Sequence, residues 1–66
     1  MRIIVNGRPE TVEDGRTIAD FLAAHSLAPD TVVVELNESI VQADDYALTC
    51  LHDNDRLEIV RFVGGG

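Results

Sequence analysis

The sequence has no lysine, no tryptophan and few basic side chains: five arginines stand against twelve aspartates and glutamates, and the formal net charge is −7. A nucleic acid partner requires clustered lysine and arginine, so this composition disfavours nucleic acid binding. Negative charge instead steers a chain toward a basic partner surface, although the same charge also keeps a small protein in solution. Without lysine, the chain offers no side-chain amine for conjugation.

Cysteine and long apolar runs are also scarce. The single cysteine, Cys50, excludes an internal disulfide and fits a reducing cytoplasm. No stretch approaches the roughly 20 apolar residues of a membrane-spanning helix, and the apolar run at the N-terminus is too short for a signal peptide. We therefore expect a cytoplasmic protein that is neither exported nor inserted into a membrane.

The length of 66 residues allows one small core. A domain of this size buries only about 60% of the surface that its unfolded chain exposes. Little of the chain is then left for a water-excluding pocket lined by convergent polar groups, as an enzyme needs. We expect one domain over residues 1–63, and a substrate or binding role is favoured over an enzymatic one.

The first third of the chain predicts a β-hairpin and then a helix. A strand over residues 2–5 leads into Asn6-Gly7, a strong signal for a type I′ turn, since both turn positions need positive φ. The second strand runs to about residue 13, and Pro9 places it at a sheet edge because proline has no N–H for the ladder. Asp14-Gly15 then ends that strand.

The helix begins at Thr17, which with Asp20 fits a capping box. Pro29 keeps it from running past about residue 27, so its length is about nine residues. One buried stripe recurs at helical period; it consists of Ile18, Phe21, Leu22 and His25.

The rest of the chain predicts three strands and a short helical turn. Residues 32–36 form a β-branched strand near the sheet centre, and residues 39–41 pair with it. A helical turn covers residues 43–46, with Tyr46 and Leu48 at the edge of the core. A turn over residues 53–55 precedes the closing strand, 56–63.

This order of elements predicts an α+β fold in which a mixed sheet of four to five strands wraps around one helix, because that arrangement buries both apolar faces. It is the β-grasp, or ubiquitin-like, arrangement. The expected core consists of the apolar positions at strand or helix period. These are Ile3, Val5, Phe21, Leu22, Val34, Leu36, Leu57 and Ile59.

The closing strand carries a tail, Gly64-Gly65-Gly66, with nothing beyond it. Three glycines add nothing to the core and are entropically costly to order, so we expect a flexible tail. Such a tail suits a segment that threads a narrow channel and leaves its carboxylate unhindered, although frayed chain ends are also commonly small residues. Because Leu57 and Ile59 face inward, period 2 places Val60 and Phe62 on the opposite face.

Other candidates for chemistry are weak. His25 and His52 have no cysteine or histidine at ligand spacing, and the aspartates at 44–45 and 53–55 lack the full calcium-loop spacing. We interpret these aspartates as turn residues and expect no metal site. No helix N-terminus or cationic cluster lowers the pKa of Cys50, so a small packed residue is expected there.

Several stretches together resemble the ThiS family, the sulfur carriers of thiamine biosynthesis within the ubiquitin-like β-grasp group. The resemblance covers essentially the whole chain and rests on Ile3-Ile4-Val5-Asn6-Gly7, Thr17-Ile18, Val34-Glu35-Leu36-Asn37, Ile40-Val41, Asp55-Arg56-Leu57-Glu58-Ile59-Val60 and Phe62-Val63-Gly64-Gly65-Gly66. Members often carry glycine where this chain has Glu38 and Asn54, and tryptophan where it has Tyr46. Asparagine can supply the turn geometry and tyrosine the bulk.

The resemblance implies a sulfur carrier rather than an enzyme. A separate ThiF-like enzyme would use ATP to adenylate the carboxylate of Gly66, and a persulfide donor system would convert it to a thiocarboxylate. Thiazole synthase would then receive the sulfur for the thiazole ring of thiamine. Apart from the resemblance, Val60 and Phe62 are two large apolar groups outside the core beside the tail, which predicts a docking site there. The expected partner-binding residues are Val60, Phe62, Val63, Gly64 and Gly65. The free chain would be a monomer that binds no cofactor of its own.

Two other functions share the same sequence features. A MoaD-like carrier would use the same thiocarboxylate for molybdopterin synthesis, although those chains tend to be somewhat longer. A ubiquitin-like interaction or modifier module would share the fold and the glycines. Loading with sulfur separates the carriers from the module, and the acceptor enzyme separates the two carriers.

Overall fold

A computed structural model describes residues 1–62 of the chain. These residues form five strands, one α-helix and two 3₁₀ helices, in the predicted order except that the first 3₁₀ helix was not predicted. The strands are β1 (Arg2–Val5), β2 (Arg8–Thr11), β3 (Val32–Leu36), β4 (Ser39–Val41) and β5 (Arg56–Arg61), the α-helix is α1 (Ile18–Ala24), and the 3₁₀ helices span Pro29–Thr31 and Ala43–Leu48. The last strand, predicted over residues 56–63, ends at Arg61, because its partner β3 begins at Val32, opposite Arg61. Val63 and the predicted tail, 64–66, lie outside the described residues. In the described part of the chain, no helix is long and apolar enough to cross a membrane.

The strands form one mixed sheet in the order β2-β1-β5-β3-β4. β1 and β5 are parallel, and the other neighbouring pairs are antiparallel. The central strand is therefore β5, the last strand in the sequence. β3 is an inner strand, as predicted, and β2 with its Pro9 lies at an edge, where the missing N–H costs no ladder bond.

Residues next to the turns set the strand ends. Asn6 and Gly7 have φ values of 49° and 81°, which confirms the predicted left-handed turn between β1 and β2. β2 ends at Thr11 rather than near residue 13. The Val12 N–H still donates to the Met1 carbonyl at 2.9 Å, next to the last pair of the β1–β2 register, Arg2 and Thr11.

The capping box of α1 is present as predicted. The Thr17 side chain accepts a hydrogen bond from the Asp20 N–H at 3.1 Å, and the Asp20 carboxylate accepts one from the Thr17 N–H at 3.0 Å. The pKa of the Asp20 carboxyl is lowered, chiefly by the bond from the Thr17 backbone and next by the Thr17 side chain. The first turn of α1 is thus stabilised by the side chains of Thr17 and Asp20, which are three residues apart.

α1 has seven residues rather than the nine predicted. It ends early because Ser26 adopts a left-handed φ of 57°. The Leu27 N–H donates to the Leu22 carbonyl at 2.8 Å and the Ser26 N–H to the Ala23 carbonyl at 3.1 Å, the two bonds of a Schellman motif. The helix thus ends at Ala24, eight positions before Val32, where β3 begins, and Pro29 is not what ends it.

The core lies between the sheet and α1. Within residues 1–62 it consists of Ile3, Val5, Ile18, Phe21, Leu22, Val32, Val34, Tyr46, Leu51 and Leu57. Leu36 and Ile59, which were also predicted, are partly buried and pack against this cluster. Leu57 and Ile59 therefore both face α1, as the two-residue period of a strand predicts.

Two predicted core positions are wrong. His25 is exposed because it is the C-cap of α1 and lies past its last turn. Leu48 is 79% exposed, since the 3₁₀ helix runs on to this residue and turns only Tyr46 inward. Leu51, which was not predicted, is buried in the core, and its N–H donates a hydrogen bond of 2.8 Å to the Arg16 carbonyl.

The turn between β3 and β4 contains a residue in a strained backbone conformation, and the strain can be tested by substitution. Glu38 adopts a φ of 72°, a region that a glutamate occupies only with strain of about 1–2 kcal/mol. Glycine removes this strain but gives the unfolded chain about 0.4–1 kcal/mol more entropy. We expect Glu38→Gly to raise the free energy of unfolding by about 0.5–1 kcal/mol, measured by urea denaturation.

Asn54 supplies the matched control. It has nearly the same φ, 71°, but asparagine tolerates this region better than glutamate. Asn54→Gly should therefore stabilise the protein less than Glu38→Gly. A lower midpoint for Glu38→Gly would show that the Glu38 side chain contributes more than its backbone strain costs.

Candidate functional site

The candidate site is built around the C-terminal end of β5. This strand lies between β1 and β3, so its position is set by neighbours on both sides. Beyond the strand, the Phe62 N–H donates a hydrogen bond of 2.8 Å to the Thr31 carbonyl. Residues 63–66 therefore follow in the sequence on the central strand of the sheet.

Side chains of β5 alternate between two environments. Leu57 is fully buried and Ile59 partly buried on the helix side of the sheet. Val60 is 61% exposed and Phe62 58% exposed. This confirms that Val60 and Phe62 lie outside the core, while their role in partner binding stays a prediction.

The side of the sheet that faces away from α1 carries further apolar residues. Val33 lies opposite Val60 in the β3–β5 register, and its neighbours Val32 and Val34 are buried on the other side. Ile40 on β4 is 64% exposed. We call these four residues, Val33, Ile40, Val60 and Phe62, the open apolar face. Val33 is half-buried and the other three residues are exposed. Exposed apolar residues grouped on one side of a sheet are typical of an interaction surface.

Two glutamates lie on the same side of the sheet. Glu35 on β3 is directly opposite Glu58 on β5, and Ile40 flanks Glu35 on β4. Like charges directly opposite in a sheet are destabilising. Among the described residues, no arginine or N-terminal amine forms an ion pair with either carboxylate. The open apolar face is thus bordered by negative charge, which suits a partner surface that carries basic groups.

Sequence reasoning found Val60 and Phe62 but missed Val33 and Ile40. Strand period alone places Val33 opposite in direction to Val32 and Val34. It does not show that β3 lies beside β5. The register between these two strands brings Val33 next to Val60. Val63, Gly64, Gly65 and Gly66, the other predicted site residues, lie outside the described residues and stay predictions.

The remaining polar residues serve the fold. Asp53 accepts a hydrogen bond of 2.8 Å from the Arg2 N–H, and Asp55 accepts one of 2.8 Å from the His52 N–H, which confirms the predicted turn role of both aspartates. Cys50 is exposed, so the prediction of a packed residue is wrong. Its backbone forms a bridge with Thr17 that holds the chain while the side chain points outward.

The two histidines lie in separate places. His25 Nε2 is 3.5 Å from the Glu10 carboxylate and its ring lies 4.3 Å, between centroids, from that of Phe21. His52 Nδ1 is 4.0 Å from the Asp55 carboxylate. Over residues 1–62, no three histidine, cysteine, aspartate or glutamate side chains come together where they could hold a metal ion.

The mixed five-stranded sheet with one helix across it is the ubiquitin-like β-grasp fold, of class α+β. A crystal structure of the thiamine biosynthesis protein ThiS from Geobacter metallireducens superposes with a TM-score of 0.81, is 36% identical and covers 100% of both chains. A solution NMR structure of a thiamine biosynthesis protein from the same organism has a TM-score of 0.79 and 33% identity, over 100% of this chain and 88% of that one.

The model of the ThiS family matches residues 3–66, and the chain belongs to this family. The sulfur carrier protein ThiS of Bacillus subtilis (strain 168) is 44% identical over 54 residues, which is 82% of each chain. A thiazole synthase of Magnetococcus marinus is 38% identical over 66 residues, and one of Paramagnetospirillum magneticum is 35% identical. The present chain spans 20% of the length of these two proteins.

Proposed function

We propose that this chain is a sulfur carrier of thiamine biosynthesis and acts as a protein co-substrate, not as an enzyme. The observation that carries the proposal is the match to the ThiS family, which extends through Gly66. The fold supports it, because the glycine segment begins three positions after the end of the central strand β5. The chemistry at the glycine needs no acid, base or metal from the chain itself, and it fits a cytoplasmic protein supplied with ATP.

The proposed reaction starts with the carboxylate of Gly66, which attacks the α-phosphorus of ATP on a ThiF-like adenylating enzyme. Pyrophosphate leaves, and the carboxylate becomes an acyl-adenylate with AMP as a good leaving group. The terminal sulfur of a donor persulfide then attacks the carbonyl carbon and releases AMP. A thiol cleaves the resulting acyl disulfide, leaves the thiocarboxylate on Gly66 and is itself oxidised to a disulfide with the donor.

Glycine suits this chemistry for a steric reason. It has no Cβ, so its carbonyl carbon is open to the attacking sulfur, and its backbone enters spaces that side chains exclude. Gly64 and Gly65 would let the segment pass through a narrow channel of the adenylating enzyme. Val60, Phe62 and Val63 would then lie at the mouth of that channel, where the open apolar face meets the enzyme surface.

Thiazole synthase is the proposed acceptor. Proteins named thiazole synthase in two organisms contain a region that matches the whole of this chain over a fifth of their own length. When a sulfur carrier and thiazole synthase are parts of one polypeptide, the acceptor of the sulfur is close to the carrier. This supports thiazole synthase over the molybdopterin-synthesis partner of a MoaD-like carrier.

Sulfur loading tests the proposal directly. The purified chain ending at Gly66 is incubated with ATP, a ThiF-like enzyme and a persulfide donor, and its intact mass is measured. We expect a mass gain equal to one sulfur replacing one oxygen, localised by fragmentation to Gly66, and no gain without ATP. No gain with an enzyme that loads another ThiS protein would leave an interaction or modifier module as the function.

The acceptor is tested with the loaded chain. Thiazole synthase should consume the thiocarboxylate and return the carboxylate form, whereas a molybdopterin synthase partner should not. The reverse preference would identify a MoaD-like carrier. Both results are read by the same mass measurement, so a failure of loading and a failure of transfer are separate outcomes.

Phe62 is the proposed anchor of the open apolar face. We expect Phe62→Ala to weaken binding to the adenylating enzyme by more than about 1 kcal/mol, since large buried aromatics dominate interface energies. The urea midpoint should stay unchanged because Phe62 is exposed and outside the core. Binding is measured by isothermal titration calorimetry with the native chain as reference.

Leu48 offers a matched control for Phe62. It is also a large, exposed apolar residue, but it lies on the 3₁₀ helix that packs beside α1 and not on the open apolar face. Leu48→Ala should leave both binding and stability unchanged. Lost stability with intact binding in Phe62→Ala would instead make Phe62 a residue of the core.

A further inference from the structure

The backbone of β5 alternates between its two neighbours. The Asn37 N–H donates to the Arg56 carbonyl at 2.8 Å, and the Phe62 N–H donates to the Thr31 carbonyl at 2.8 Å, so even-numbered residues of this stretch bond toward β3. Antiparallel ladders alternate strictly in this way. The N–H and carbonyl groups of Leu57, Ile59 and Arg61 therefore point toward the opposite side, where β1 lies.

On that side β1 ends before β5 does. The Asn6 N–H donates to the Leu57 carbonyl at 2.9 Å, after which the chain turns away into β2. The Asn6 side chain then replaces the missing strand: its Oδ1 accepts from the Ile59 N–H at 2.8 Å, and its Nδ2 donates to the Ile59 carbonyl at 3.3 Å. Both backbone groups of Ile59 therefore have a hydrogen-bond partner. The next N–H and carbonyl that point toward the β1 side belong to Arg61.

Arg61 presents an open backbone edge. Within residues 1–62, no hydrogen bond reaches the Arg61 N–H or carbonyl. Both groups point toward the β1 side, and Arg61 lies two residues further along β5 than Ile59, the last residue that the Asn6 side chain reaches. This edge belongs to the central strand and leads straight into residues 63–66. The edge of β2 is different, since Pro9 has no N–H to offer a further strand, and β4 is only three residues long.

A shallow groove lies beside this open edge, on the helix side of the sheet. Its apolar lining comes from Val5, Phe21, Leu27 and Ile59, and Arg61 is one of its polar residues. Its volume of about 220 Å³ is below the roughly 300–1,000 Å³ typical of small-molecule sites. The groove is therefore of a size to receive apolar side chains of an adjacent peptide.

We propose that the adenylating enzyme adds an extended segment to the β5 edge at Arg61. The inference rests on the proposed function, because the edge is continuous with the segment that the enzyme must hold. The segment's backbone would bond with the Arg61 N–H and carbonyl, as in β-strand addition. Alternate side chains of an added strand point to one face, so an apolar side chain of the segment would enter the groove.

This contact would explain how a tail of glycines is aligned. Three glycines have no side chains to be recognised, so their register in the enzyme must be set by backbone contacts or by the residues before them. A partner strand that pairs with Arg61 would be fixed to a residue five positions before Gly66 in the sequence. It would hold the terminal carboxylate at a defined distance along the channel.

The first test is amide hydrogen exchange, followed by NMR on the labelled chain with and without saturating adenylating enzyme. The Arg61 amide should exchange rapidly in the free protein and become protected on binding. The Val60 amide, which faces β3, serves as the reference that is already protected when free. An Arg61 amide that exchanges equally fast in the complex overturns the proposal.

A pair of substitutions gives the second test. Arg61→Pro removes the outward N–H without taking a bond from the β3–β5 ladder, while Arg61→Ala removes only the side chain, which also lines the groove. We expect Arg61→Pro to bind the enzyme about tenfold more weakly than Arg61→Ala does. Equal affinities of the two variants overturn the proposal.

Should Arg61→Pro fail to fold, chemical synthesis of the 66-residue chain with an N-methyl group on the Arg61 amide removes the same donor and keeps the side chain. A dimer mass in sedimentation, with Arg61 protected in the chain alone, would assign the edge to a second copy and overturn the proposal. Normal loading by the native chain and by Arg61→Pro would reject strand addition and leave the carrier function intact. A native chain that neither binds nor loads would reject both.

Discussion

A chain extended by one alanine after Gly66 is expected to acquire sulfur about 100-fold more slowly than the native chain. In the extended chain the activated carbonyl belongs to a branched residue and lies one position further into the enzyme's site. Displacement of a reacting atom by about 1 Å can cost two orders of magnitude in rate, and one added residue displaces it by about 3.3–3.6 Å in an extended chain. The rate is followed by intact mass at fixed enzyme concentration.

Deletion of Gly66 is the complementary variant, because it leaves an unbranched glycine at the end but one position too early. It should also load slowly, which would show that position matters apart from branching. Gly65→Ala keeps the chain length and tests the width of the channel. The extension and the deletion should both keep the native urea midpoint, since neither changes a residue of the described core. Equal loading by the extended chain would reject Gly66 as the acyl carrier.

Leu57→Ala is expected to lower the free energy of unfolding by about 2–5 kcal/mol, the usual cost of truncating a buried leucine. Leu57 is fully buried on the central strand, where it lies beside Val5 on β1 and Leu36 on β3. The total stability of a 66-residue domain at typical values per residue is about 3–10 kcal/mol. The variant should therefore be close to unfolding at room temperature.

Urea denaturation followed by circular dichroism measures this effect, with the slope compared between variants. Val60→Ala is the matched control, since it lies on the same strand but is largely exposed, and it should change the stability by only about 0.5 kcal/mol. An unchanged midpoint for Leu57→Ala would remove Leu57 from the core. If the two variants lost equal stability, the assignment of the two faces of β5 would be wrong.

Most of the secondary structure was predictable because neighbouring residues specify it. Asn6-Gly7 predicts its own turn, since asparagine and glycine are among the residues that best accept positive φ. Thr17 and Asp20 cap α1 with bonds between residues three apart. The helix end was less predictable, because Ser26 adopts a left-handed φ that serine seldom has, and no glycine marks the position.

The candidate site was predictable only in part. Period 2 along β5 placed Val60 and Phe62 outside, because that alternation is local. Their neighbours on the open apolar face were missed, since Val33 and Ile40 come beside them only through the β3–β5 and β3–β4 registers. Leu51 was missed for a similar reason: its place in the core depends on a hydrogen bond to Arg16, far back in the sequence.

The sequence by itself determined the turns, the helix cap and the inward face of the last strand, because each depends on residues close together in the chain. The order of these elements along the chain then determined the fold class. The tertiary structure alone decided that β5 is the central strand, that Glu35 faces Glu58, and that the Asn6 side chain completes the ladder at Ile59, 53 residues away. Contacts of such separation follow from the joint burial of the apolar faces of sheet and helix. No local pattern encodes them, which is why the open edge at Arg61 emerges only from the folded chain.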